Sequence, residues 1–166
     1  MDALGLLRIR IRRGINLAVR DTRTSDPYVV IDCTSQKVKT RVEKDNCNPV
    51  WNEELTISIK DINASITLSV YDHDTFTKDD TMGNAEIDIK PYVECLKMGL
   101  QSLPDGSEVA KVEPSSANCL AEESSIVWNK GKLTQDMILR LRDVECGELQ
   151  LQIEWLDFPG GRGLHN

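Results

Sequence analysis

Leu6-Leu7-Arg8-Ile9-Arg10-Ile11-Arg12 alternates apolar and basic residues with a period of two. Successive side chains of an extended chain point to opposite faces, so this pattern predicts a half-buried antiparallel strand with a basic outer side. The same rhythm recurs outward from it. Residues 28–33 are β-rich, and residues 36–42 set Val38, Thr40 and Val42 on one side against Lys37, Lys39 and Arg41 on the other. Further strand patterns lie at residues 55–59, 66–71, 85–89, 124–128, 136–141 and 148–156. That makes about nine candidates, and a sandwich of two four-stranded sheets uses about eight. The expected fold class is therefore all-β, an eight-stranded antiparallel β-sandwich.

The rhythm stops near Pro91. Residues 92–98 are expected as a short helix. Residues 101–118, with Pro104, Gly106, Pro114 and paired serines, are expected as a loop-rich insertion within the span of about 91–128. Residues 1–157 are read as one domain, and residues 158–166, with Pro159, Gly160 and Gly161, as a flexible tail.

Composition narrows the function classes. The formal net charge of −7 argues against nucleic acid as a partner. No apolar run approaches the roughly 20 residues of a spanning helix. Met1-Asp2-Ala3-Leu4 shows neither a secretory apolar segment nor a Met-Gly start for myristoylation, so any membrane is expected to be met peripherally. The five cysteines are scattered without a C-x-x-C pair and are read as reduced thiols. His73 and His165 have no zinc-type spacing to them. Asn63-Ala64-Ser65 matches the glycosylation pattern but is read as chance in a chain without a secretory signal.

Two segments concentrate acids. Arg20-Asp21-Thr22-Arg23-Thr24-Ser25-Asp26-Pro27 separates the first two strands, and Asp72-His73-Asp74-Thr75-Phe76-Thr77-Lys78-Asp79-Asp80 follows the strand ending at Tyr71. Crowded carboxylates repel one another, and a cation relieves that cost. Calcium accepts 6–8 oxygens at about 2.3–2.6 Å from flexible loops, whereas magnesium demands a stricter octahedron. An EF-hand is excluded by spacing: with Asp72 as the first position, Thr77 stands where the turn glycine belongs. The loops hold no cysteine, and His73 sits between two acids in alternating chain, so catalysis by the chain itself is not expected.

Ser25-Asp26-Pro27-Tyr28-Val29, Lys39-Thr40, Asn48-Pro49-Val50-Trp51-Asn52-Glu53, Val70-Tyr71-Asp72-His73-Asp74 and Met82-Gly83 occur in the order that resembles a C2 domain, over roughly residues 4–90. The resemblance implies two or three Ca²⁺ ions held by side chains of Asp21, Asp26, Asp72, Asp74 and Asp80 and by backbone carbonyls of Arg20 and His73. It gives no role to Asp79. It also places Lys37, Lys39 and Lys60 at lysine positions of a phosphoinositide groove, with Ser58 replacing the fourth. Phe76, midway along the second loop, is a candidate wedge into the acyl boundary, the alternative being that it folds back onto the loop. Arg8, Arg10 and Arg12 are read as a second basic face, solvated or turned to a partner.

Leu17-Ala18-Val19-Arg20-Asp21, Asp74-Thr75-Phe76, Asn118-Cys119-Leu120-Ala121-Glu122-Glu123-Ser124 and residues 139–148 are similar to the small plant C2-domain abscisic-acid-related proteins. That resemblance covers almost the whole chain. It implies calcium-dependent docking on anionic phospholipid at the cytoplasmic side of the plasma membrane, with pools in cytoplasm and nucleus. It also implies recruitment of abscisic-acid receptors, with the insertion giving partner specificity. The family is also described as GTPase-activating, which makes activation of a GTPase one alternative. An adaptor whose calcium sites are structural and which never touches lipid is the other.

Overall fold

A computed structural model describes residues 3–20 and 24–164. Its strands are β1 (Gly5–Ile15), β2 (Pro27–Cys33), β3 (Gln36–Lys39), β4 (Val50–Ile59), β5 (Ile66–Asp72), β6 (Asp80–Ile87), β7 (Ser107–Val112), β8 (Ser124–Asn129), β9 (Lys132–Arg140) and β10 (Glu148–Leu156). One helix, α1 (Lys90–Lys97), follows β6. The strands form a six-stranded sheet in the order β4-β1-β10-β9-β8-β7 and a four-stranded sheet in the order β3-β2-β5-β6, and every strand pairing within them is antiparallel.

The alternation of β1 becomes burial. Leu7, Ile9 and Ile11 are wholly buried while Arg8 and Arg10 stay partly exposed on the outer side. Ile57, Leu149, Leu151 and Ile153 of the same sheet face Val29, Ile31, Leu68 and Val70 of the other, all at 2 % exposure or less. Each such side chain contributes about 1.5–3 kcal/mol by leaving water. This shared apolar layer holds the two sheets together and fixes which strand ends lie side by side.

All nine expected strands form, and the sandwich is larger than eight strands because the insertion adds β7 to the margin of one sheet. The alternation of β7 is broken by an irregularity between Glu108 and Ala110, where one residue more than its partner β8 supplies leaves Val109 unpaired. The helix begins two residues before the expected start, with Pro91 in its first turn, where a missing N–H is harmless. Tyr92 anchors it: the buried hydroxyl donates to Leu133 O at 2.7 Å and accepts from Trp155 N at 2.8 Å. The segment expected as a flexible tail returns along β1, with Arg162 N donating to Ala3 O at 2.8 Å and Gly163 N to Leu4 O at 2.9 Å.

Candidate metal centre and lipid contacts

Register brings the acids to one end of the sandwich. Pro27 of β2 pairs with Asp72 of β5, and Asp72 pairs with Asp80 of β6. Asp26, one residue before β2, therefore joins Asp72 and Asp80 across three neighbouring strand ends. Backbone donors already orient these carboxylates: Asp26 N–H donates to Asp72 Oδ1 at 2.7 Å, and Asp45 N–H donates to Asp26 Oδ1 at 2.7 Å. His73 N–H donates to Asp26 O at 2.9 Å, which ties residues 73–79 to the segment carrying Asp26. Asp72 is only 2 % exposed. Asp21, expected in the same ligand set, lies outside the described residues.

The second acidic loop is closed on itself. Asp74 Oδ1 accepts the amides of Phe76 at 2.9 Å and Thr77 at 3.2 Å, and Asp74 Oδ2 accepts the Thr77 hydroxyl at 2.8 Å. These donors, the Phe76 amide foremost, hold the Asp74 carboxyl below the usual carboxylate range. Asp79, which the sequence left without a role, fastens the loop. It accepts the Tyr28 hydroxyl and the Asp74 amide, the latter at 2.9 Å, and its Oδ2 lies 3.6 Å from His73 Nδ1. Tyr28 is the largest cause of its lowered pKa, while burial and the same hydrogen bond push Tyr28 up to about 12. Nothing local to Asp79 marks this, because Tyr28 lies 51 residues away.

Among the described residues no three His, Cys, Asp or Glu side chains are set in ligating geometry. The reason is visible in Asp74, whose oxygens are turned onto amides and a hydroxyl. In chemistry and placement the donors fit a hard cation: Asp26, Asp72 and Asp80 offer carboxylate oxygens at adjacent strand ends, and no cysteine lies in the described parts of the two acidic loops. Closing the set around an ion requires Asp74 to exchange its internal donors for the ion.

The candidate lipid contacts lie on two separate surfaces. Phe76 is 92 % exposed at the acidic tip, so it does not fold back as a staple. Lys37 and Lys39 point outward from β3, and Lys60 follows the end of β4. Gln36 joins these strands, donating to Ser58 O at 2.8 Å and accepting Ser58 N–H at 2.7 Å, so the three lysines border one seam between the sheets. Lys37 Nζ is 4.0 Å from Asp32, an exposed pair that leaves the ammonium available. The basic face of β1 is different. Arg8 pairs with Glu54 and Glu154, both at 3.4 Å, and Arg10 with Glu54, so its charge is largely answered within the sheet.

Arg20, expected to offer a backbone carbonyl, also has a committed side chain. Its guanidinium grips Glu145 with two bonds of 2.9 Å, and these hold the Glu145 carboxyl down to about 2.

Residues 5–104 match the family model of the C2 domain. Protein C2-DOMAIN ABA-RELATED 4 of Arabidopsis thaliana is 60% identical over 163 residues, covering 98% of this chain and 92% of that protein. GTPase activating protein 1 of Oryza sativa subsp. japonica is 55% identical over 161 residues, covering 97% of each chain. Among solved structures, a calcium-bound pair of C2 domains from Extended-Synaptotagmin 2 superposes with a TM-score of 0.65 at 24% identity, covering 93% of this chain and 46% of that one. A single C2 domain of plant Extended Synaptotagmin 1 does so with a TM-score of 0.61 at 19% identity, over 95% of this chain and 98% of that one. These two likenesses bear on the fold alone. Family model, full-length relatives and two-sheet architecture agree: the chain belongs to the C2-domain family and, within it, to the C2-domain ABA-related proteins.

Proposed function

We propose that this C2 domain docks on anionic membranes when calcium binds its acidic tip, and that it carries abscisic-acid receptors to the cytoplasmic face of the plasma membrane from cytoplasmic and nuclear pools. The observation that carries the reading is the convergence of Asp26, Asp72 and Asp80 on the end of the sandwich where Phe76 stands 92 % exposed. No helix among the described residues is long and apolar enough to cross a membrane, so docking is peripheral.

Two or three bound calcium ions supply on the order of four to six positive charges and open coordination positions for lipid phosphate. The chain does the rest. Asp26, Asp72 and Asp80 hold the ion side, with Asp21 and the carbonyls of Arg20 and His73 completing the set. Asp74 turns from the amides of Phe76 and Thr77 toward the ions, and Phe76 enters the acyl boundary, worth about 1.5–3 kcal/mol at most when fully buried. Lys37, Lys39 and Lys60 each add on the order of 1 kcal/mol against an anionic leaflet, a supporting contact rather than an independent anchor. Catalysis plays no part in this reading.

Co-sedimentation with phosphatidylserine-containing vesicles tests it. Binding is expected in calcium and lost in chelator. Equal binding in both conditions overturns calcium control, and no binding in either leaves the adaptor without lipid contact.

A second reading follows from the rice relative, whose name is GTPase activating protein 1. An activator stabilises phosphoryl transfer with an arginine offered in trans. Arg12 suits that part: it is the residue skipped in the pairing of β1 with both neighbours, and it has no side-chain hydrogen bond or ion pair among the described residues. If the chain accelerates GTP turnover, Arg12→Ala is expected to lower the acceleration at least tenfold with lipid binding unchanged. Full acceleration by that variant removes Arg12 from the role.

A further inference from the structure

Three segments meet at the Arg20 side chain. Its guanidinium grips both oxygens of Glu145 at 2.9 Å, and its Nε donates to Thr81 O at 3.1 Å, one residue after Asp80. Its own N–H donates to Ser25 Oγ at 2.8 Å, and that hydroxyl donates to Ala18 O at 2.8 Å, so both flanks of the first acidic loop close on the same point. Ser25 is wholly buried.

Glu145 stands on a rigid post. Residues 141–147, between β9 and β10, are stitched to β6 by reciprocal backbone bonds between Asn84 and Arg142, at 3.1 and 2.7 Å. Gly83 makes that approach possible: at φ +96 it lies where a Cβ would sit 2.6 Å from Val144 and 3.0 Å from Arg142 O. The post thus belongs to a segment outside the two acidic loops and contributes no residue to the expected ligand set.

We infer that Arg20 and Glu145 form a latch that positions the first acidic loop against the start of β6 before calcium arrives. The inference rests on the calcium reading above and assigns Glu145 as a positioning residue. Ordering loop backbone is paid at binding unless it is ordered beforehand. Calcium meets a preset Arg20 carbonyl and a preset Asp26 flank when the latch is closed. Without the latch the same ligands are present, and the loop is ordered only as the ion enters.

The test pairs two measurements on the full chain and its Glu145→Ala and Glu145→Gln variants. Hydrogen exchange without calcium is expected to speed up at the amides of residues 17–20 in Glu145→Ala, less in Glu145→Gln, with β10 amides unchanged. Calcium titration by calorimetry is expected to show affinity lowered three- to fivefold in Glu145→Ala, with the number of ions unchanged. Unchanged exchange in the alanine variant overturns the latch. Faster exchange with undiminished affinity overturns its link to the ion. A wild-type chain that takes up no calcium sinks the calcium reading itself, and the exchange result then reports separately on whether the loop is held.

Discussion

Replacing Asp72 and Asp74 together by asparagine is expected to weaken calcium-dependent vesicle binding at least about a hundredfold, close to 2.7 kcal/mol. Asparagine keeps the size of each side chain and one carbonyl oxygen, so the Asp26 amide at 2.7 Å and the Phe76 amide at 2.9 Å retain an acceptor. What disappears is negative charge and ligating strength. The sign of the result separates two mechanisms. If these acids merely repelled an anionic surface, removing two negative charges would strengthen binding, in chelator above all. If they hold calcium, binding in calcium collapses and binding in chelator stays weak. The melting temperature without calcium should be unchanged or higher, because two crowded charges are gone. Vesicle binding by the double variant at wild-type level in calcium ends the proposed mechanism.

Exchanging residues 99–118 for a short Gly-Ser linker is expected to spare lipid binding and to lower receptor binding at least tenfold, about 1.4 kcal/mol. The structure shows why the fold should survive. The exchange removes β7, the outermost strand of the six-stranded sheet, whose Val109, Ala110 and Val112 are only partly buried. It leaves α1 in place, with Tyr92 bonded to Leu133 O and Trp155 N, and leaves β8 as the new margin. The calcium loops lie at the ends of β1, β2, β5 and β6, none of which pairs with β7. Loops beyond about 12–15 residues in compact domains are usually functional or disordered, and this one carries an ordered strand. Measuring vesicle and receptor binding on the same preparation decides the matter. Undiminished receptor binding makes the insertion passive and moves the partner site elsewhere.

Several features were legible in the chain because their signal is local. Period-two alternation in residues 6–12 and 148–156 needs no partner to be read, since strand geometry alone sends every second side chain inward. The Ser-Asp-Pro-Tyr and Asp-His-Asp stretches were equally plain. Other features had no local signal. The bulge at Val109 breaks the alternation, and only pairing with β8 makes β7 a strand. Asp79 acquires its place from Tyr28, 51 residues earlier, and Arg20 from Glu145, 125 residues later. The last segment is held by bonds to Ala3 and Leu4, at the other end of the chain. Sequence by itself determined which residues extend, which side they bury and which acids sit at strand ends. Tertiary structure decided which of those ends meet and which side chain fastens each loop, because those contacts depend on strand register and sheet order, which no run of neighbouring residues encodes.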